Sequence, residues 1–204
     1  MPGTTHRWPD VVHSRLLFVC LLMLASGPAA TDALLLDDFT DAQQRSALGT
    51  RWQGFTDGVM GGRSEIEAGY ADSETGRHLY MRGPVRLENN GGFIQVRLPL
   101  TPDRGLFDAS AWDGIALVVR GRPGPYYLHL RTAGTPRVWQ YFSAPVAVTA
   151  DWQRVVVPFS AFRGQYLTAP LDRDRLRSIG VVAYGKAFEA DLELARIELV
   201  RIDP

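Results

Sequence analysis

Cysteine is nearly absent: the 204-residue chain holds only Cys20, and that residue sits inside the apolar run from Leu16 to Ala25. The rest of the chain therefore has no disulfide, no cysteine zinc site and no cysteine nucleophile. Lysine is as scarce, since Lys186 is the only one among 22 basic residues, and 22 acidic side chains balance them. A protein that neutralises nucleic-acid phosphates carries a basic excess, so nucleic acid is not an expected partner. Long apolar runs are missing too. Ten residues from Leu16 to Ala25 fall short of the roughly 20 that a helix needs to cross a bilayer, which argues against a permanent membrane span.

The same run follows Arg7, His13 and Arg15 and precedes Ser26-Gly27-Pro28-Ala29-Ala30, the charged, apolar, small order of a secretory leader. Residues 1–30 read as a signal peptide, cut near Ala30 or Ala33, and residues 31–204 as one domain exported to the periplasm or beyond. Cys20 is not placed as a lipoprotein cysteine, because Phe18-Val19 rather than small residues precede it.

Beyond the leader, short strand-like runs recur between Gly, Pro, Asn and Asp, and no segment keeps a 3.6-residue apolar period over three turns. The expected class is all-β. Eleven runs stand out: Leu34 to Phe39, Arg51 to Phe55, Ser64 to Glu67, Leu79 to Arg82, Phe93 to Leu98, Ile115 to Arg120, Tyr126 to Thr132, Val138 to Phe142, Arg154 to Pro158, Ile179 to Tyr184 and Asp191 to Ile202. They fit a two-sheet β-sandwich of the jelly-roll kind. Ile94, Val96 and Leu98 alternate with Gln95 and Arg97, whereas Ile115 to Val119 is apolar throughout and reads as a central strand. In the last run Leu192 and Leu194 share one parity and Ile197 and Leu199 the other, so a β-bulge is expected at Ala195-Arg196. Single helical turns are expected at Asp172 to Arg177, capped by Asp172, and at Asp108 to Trp112.

Two glycine-rich segments hold the most distinctive residues: Trp52 with Asp57-Gly58-Val59-Met60-Gly61-Gly62-Arg63-Ser64, and Asn89-Asn90-Gly91-Gly92-Phe93. Neither has the lysine of a phosphate loop or the three spaced glycines of a dinucleotide fold. Asn-Gly favours a hairpin turn in the second segment. Trp52, Asp57, Met60, Arg63, Ser64, Asn89, Asn90, Arg97 and Arg120 are candidates for a binding site beside these loops. The same polar residues also suit a purely structural tie between loop and sheet.

These segments, with Arg82-Gly83-Pro84-Val85-Arg86-Leu87-Glu88 before the second and Asp113-Gly114-Ile115, Trp139 to Phe142, Trp152 and Val157-Pro158-Phe159 downstream, closely resemble the complex I intermediate-associated protein 30 domain. The resemblance covers about residues 35 to 202. It implies a galactose-binding-like jelly roll, similar to some carbohydrate-binding modules, in a family whose mitochondrial members assist respiratory complex I assembly. It implies no settled enzymatic activity.

The residues themselves point the same way. Beyond the leader only His78 and His129 remain, on separate strands, and neither stands at motif spacing from a nucleophile or a metal cluster. Catalytic residues, cofactor and metal are therefore expected to be absent. Asp37-Asp38 supplies only two of the six to eight oxygens that calcium prefers, and a solvated strand end is the better expectation. A second binding face is available where Tyr127, His129 and Arg131 share one parity and Trp139 and Tyr141 share one on the returning strand. Those flat and donor-rich groups suit sugar rings or a peptide surface, unless the aromatics turn inward as core. The expected function is a non-catalytic exported module, protein-binding or assembly-factor-like, with a partner in the cell envelope; the alternative is a carbohydrate-binding module with a glycan partner.

Overall fold

The computed structural model describes Gly3 and residues 33–202, so the leader, its cleavage point and Cys20 lie outside the described residues. The strands are β1 (Ala33–Asp37), β2 (Gln53–Thr56), β3 (Glu67–Ser73), β4 (Gly76–Val85), β5 (Phe93–Pro99), β6 (Gly114–Gly121), β7 (Tyr126–Thr132), β8 (Tyr141–Val146), β9 (Gln153–Pro158), β10 (Arg163–Gln165), β11 (Leu176–Tyr184) and β12 (Phe188–Val200). Two six-stranded sheets result. The first runs β3-β4-β12-β6-β9, and the second runs β10-β8-β7-β11-β5-β2.

β12 is long enough to take two partners along one edge: β4 pairs with Phe188 to Leu194, and β1 pairs with Ile197 to Val200. The register against β6 slips between Leu194 and Arg196, the expected bulge, and Leu192, Leu194, Ile197 and Leu199 are all buried as a result. Alternation works as expected on β5, where Ile94, Val96 and Leu98 face the other sheet. β6 lies between β12 and β9, with Ile115, Ala116, Leu117 and Val119 buried. Tyr126, Leu128 and Leu130 of β7 and Ile179, Val181 and Ala183 of β11 fill the same core. Each Val, Leu or Ile side chain so buried contributes about 1.5–3 kcal/mol relative to exposure. The inward set fixes which residues are left for the outer face, because strand side chains alternate.

Five expectations need correction. Val138 and Trp139 do not join a strand; they form a turn after Pro136, closed by Gln140 N–H to the Arg137 carbonyl, and β8 begins only at Tyr141. The strand expected at Ser64 to Glu67 starts at Glu67 and runs to Ser73. Gly69 does not break it, because the ring of Tyr80 across the pair occupies the space a side chain would take. Asn89-Asn90-Gly91-Gly92 is not a hairpin. It follows β4 of the first sheet and leads into β5 of the second as a 3-10 turn, with Asn89 held at a φ of 58°. Asp108 to Trp112 forms a turn rather than a helix, and Asp172 precedes the 3-10 turn Arg173–Arg175 without a side-chain capping bond.

Candidate functional site

The outer face of the second sheet carries a cleft of about 700 Å³. Strand register explains its shape. One rank across the sheet reads Ser143, His129, Gly180, Arg97 and Gln53, and the next reads Tyr127, Val182, Gln95 and Phe55. The central strand β11 thus presents Ser178, Gly180 and Val182, short side chains between longer ones on β7 and β5, and a trough follows. A Cβ at position 180 would already stand 3.3 Å from Gln95 Oε1 and 3.6 Å from Val182 Cγ2.

Aromatic rings line this trough. His129 stacks on Tyr141 with ring centroids 4.0 Å apart, and Tyr184 meets both His129 and Tyr127 edge-on at 6.3 and 6.2 Å. On the β8 and β10 side the wall is completed by Val138, Trp139 and Tyr166; on the β2 and β5 side it is completed by Phe55, Val59, Met60 and Phe93. Trp139 is 49% exposed and Tyr166 78% exposed, and Tyr166 is held at a positive φ of 55°, a conformation uncommon for a bulky residue. Gln140 takes part as well: its side-chain Nε2 donates to the Tyr166 carbonyl at 3.3 Å, tying the two wall loops together.

Burial sets the protonation states. It pushes the His129 imidazole down to about 3, so the ring is neutral at physiological pH, and its Nε2 has no hydrogen-bond partner. Burial, then the neighbouring Tyr184 hydroxyl, raises the Tyr141 phenol above its ordinary value. Arg131 spends its donors on the wall: Nη2 and Nε donate to the Thr135 carbonyl and hydroxyl at 2.7 and 3.2 Å, and Nη1 donates to the Val138 carbonyl at 3.0 Å. Arg97 lies with its guanidinium 4.2 Å from the Phe55 ring centroid, and burial lowers its pKa.

The glycine-rich motif has a different role from the one its residues predict. Asp57 is fully buried and accepts four bonds, from the Ser64 amide at 2.9 Å, the Ser64 hydroxyl, the Gly92 amide at 2.6 Å and the Phe93 amide at 3.3 Å. Burial alone would raise its pKa, but those donors, the Ser64 hydroxyl first, hold it below the ordinary carboxylate value. Gly62 and Gly91 are required here, since a Cβ at either would stand 2.2 or 2.5 Å from the Asp57 carboxylate. Asn89 donates from Nδ2 to the Gly61 carbonyl at 3.1 Å and stitches the second loop to the first. Asp57 and Ser64 are therefore corrected from partner contacts to a buried knot, and Asn89 is a tie. The knot delivers the tip, Val59 and Met60, to the cleft rim.

Other candidates separate. Trp52 is packed against Phe39 and donates from Nε1 to Asp37 at 2.9 Å, so it is a support and not a contact. Asp37 also accepts from the Phe39 amide at 2.8 Å and is only 3% exposed, which corrects the solvated strand end. Among the described residues no group of three or more His, Cys, Asp or Glu is placed to hold a metal. Arg63 is exposed and does not line the cleft. Asn90 ends the 3-10 turn Glu88–Asn90. Arg120 belongs to the first sheet, paired with Glu193 at 2.6 Å, and is corrected from the site to the opposite face.

The cleft thus joins Met60 and Arg97 from one candidate set to His129, Arg131, Trp139 and Tyr141 from the other, with Tyr127 packed beside it. Sequence reasoning missed Phe55, Gln95, Tyr166 and Tyr184. Parity with Arg97 would have found Gln95, and parity with Gly180 would have found Tyr184. Nothing in the local pattern marks Tyr166.

Comparison with known proteins agrees with this architecture. The family 11 carbohydrate-binding module of the cellulosomal cellulase Lic26A-Cel5E of Clostridium thermocellum superposes with a TM-score of 0.65 at 17% identity, over 85% of this chain and 97% of that one. The family 11 module from the same organism in complex with a β-1,3-1,4-mixed-linked tetrasaccharide gives 0.64 at 16% identity, over 85% and 98%. An exo-β-agarase matches at 0.57 and 10% identity, over 84% of this chain and 25% of the agarase. At these identities the likeness is one of fold, a galactose-binding-like jelly roll. No curated protein matches the chain at a significant level. The sequence model described as complex I intermediate-associated protein 30 matches residues 38–195, most of the chain, and the protein belongs to that family.

Proposed function

We propose that this chain is an exported, non-catalytic binding module whose cleft on the second sheet takes a glycan. The carrying observation is the set of Trp139, Tyr141, Tyr166 and Tyr184 around a trough whose floor offers the planar donors of Gln95 and Arg97. Sugar rings have apolar CH faces that lie on aromatic rings and hydroxyls that take directional bonds from amides and guanidinium groups. The fold shared with a module that binds a mixed-linked tetrasaccharide supports the reading. None of the lining residues is Asp or Glu, so the cleft itself does not supply the carboxylate pair that glycoside hydrolysis uses. The test is a titration of the purified chain with a panel of neutral and acidic oligosaccharides, read by tryptophan fluorescence and thermal shift. Quenching that disappears in Tyr184→Ala and Trp139→Ala is expected; a panel that moves neither signal would defeat the proposal.

A protein partner in the cell envelope is the second reading, favoured by family membership and by three exposed apolar side chains on opposite rims: Val59 at 72%, Met60 at 54% and Val138 at 68%. Such tips serve protein contact better than sugar contact. A photo-crosslinker at position 60, used in membranes of the native cell, distinguishes the two. A single specific adduct lost with Val138→Asp supports the partner, and absence of any adduct supports the glycan.

A further inference from the structure

Building on the glycan-binding reading, we propose that the ligand is an acidic glycan, with a uronate carboxylate received by Arg97 above Gly180. The charge census of the cleft leads there. The chain as a whole has as many acids as bases, yet the cleft is lined by two arginines and no carboxylate. Arg131 is occupied with the Thr135 and Val138 acceptors and contributes charge rather than free donors. Burial and the nearby charges of Arg97 and Arg177 lower its pKa, which places three cations near one another.

Arg97 is the one with its donors to give. Among the described residues it has no ion pair and no hydrogen-bond acceptor, and its contact is the face of Phe55 at 4.2 Å. The ring covers one side of the guanidinium and leaves its N–H groups for a ligand. Directly across the strand pair stands Gly180, and beyond it the neutral ring of His129. The rank therefore offers a planar, positively charged fork beside a space one side chain deep. A planar carboxylate matches that fork with two parallel bonds. A half-buried guanidinium without a counter-charge is unfavourable, and a ligand that brings the counter-charge removes that cost.

The opposite face of the sandwich shows that this is not the chain's habit. There Arg82 meets Asp191 and Glu193 at 2.9 Å each, Arg120 meets Glu193 at 2.6 Å, and Arg196 meets Glu198 at 2.6 Å.

The test pairs oligogalacturonate, an alginate oligosaccharide and a glucuronoxylan fragment with their carboxyl-reduced forms, and measures binding to the full chain by calorimetry at low and high salt. The expected result is at least one acidic chain bound tenfold or more tighter than its reduced form. In Arg97→Gln the acidic and reduced forms should bind alike and the salt dependence should vanish, whatever the shared loss of affinity from the missing floor donor. Arg97→Lys, which keeps the charge without the fork, should recover only part of the preference. Equal binding of acidic and reduced forms would overturn the acidic inference and leave the glycan reading standing. Tighter binding of dextran sulfate than of every uronate would overturn the carboxylate assignment. No binding by any chain, neutral chains included, would remove the glycan reading and this inference with it.

Discussion

The two outer faces of this sandwich carry similar residues and use them in opposite ways. On the first sheet, Glu193 stands between Arg82, Arg120 and His78, Arg120 lies over Trp152, and each guanidinium has a carboxylate in reach. Although burial opposes ionisation, Arg120, His78 and Arg82 hold the Glu193 carboxyl below its ordinary value. That face pairs its charges from within, while His78 Nδ1 and Trp152 Nε1 are buried there without a hydrogen-bond partner. On the second sheet, Arg97 has only a ring to lean on, and the strand between the arginine-bearing strands is pared down to Ser178, Gly180 and Val182. Arginine and aromatics alone thus do not mark a binding face. What distinguishes one is that its guanidinium lacks a carboxylate and its floor lacks volume.

Several substitutions would sharpen or break this contrast, and the largest effect is expected beneath the rim of the second face. Asp57→Ala leaves the buried amides of Ser64, Gly92 and Phe93 without an acceptor and should cost about 3–5 kcal/mol in urea unfolding. A loss under about 1 kcal/mol would show that the knot does not hold the loops.

Acid should weaken the second face through His129. Its folded pKa, about 3, lies below the unfolded value of 6.5, so the unfolded chain binds the extra proton between them. Stability from this group is intact above 6.5, falls as pH drops through that window, and levels off near 3; at about 1.4 kcal/mol per pH unit the total is a few kcal/mol. Melting temperatures from pH 7 to 4 should decline less in His129→Phe, which keeps the stack on Tyr141. Parallel curves for both proteins would contradict the neutral buried imidazole.

Glu193→Ala breaks the first face instead. Arg82 retains Asp191 and Arg120 retains Trp152, so the expected loss is about 1–2 kcal/mol by thermal melting, with glycan affinity unchanged. A fall in affinity would mean the faces communicate. Gly180→Phe should do the reverse: it fills the trough and abolishes binding by calorimetry, at a stability cost of about 1 kcal/mol because the Gln95 side-chain amide, 3.3 Å from the added Cβ, must move aside. Trp139→Ala should change stability least, within about 0.5 kcal/mol, since its ring is half exposed on a turn.

Much of this was legible in the chain. The parity slip at Ala195-Arg196 gave the bulge because both apolar pairs must reach one core. Likewise Tyr127, His129 and Arg131 share the outer face because Tyr126, Leu128 and Leu130 claim the inner one. Strand order was not legible. That β11 lies between β7 and β5, which sets Gly180 between His129 and Arg97, depends on long-range pairing that no local pattern carries. Trp139 was read one element too far, because a β-rich composition does not reveal that Arg131 will hold the Val138 carbonyl in a turn. Asp57 looked like a contact since acids are seldom fully buried, and its four donors come from two segments some thirty residues apart in sequence.

The knot around Asp57 closes on itself, with every carboxylate bond answered and two glycines pressed against it. The most recognisable stretch of the chain is therefore a hinge pin and not a lock: it says which scaffold this is and is silent on specificity. Between its buried ends, Val59 and Met60 ride as an exchangeable cartridge over the trough. Swapping those two side chains, or the Gly180 floor beneath them, can retune what is held while the pin stays in place.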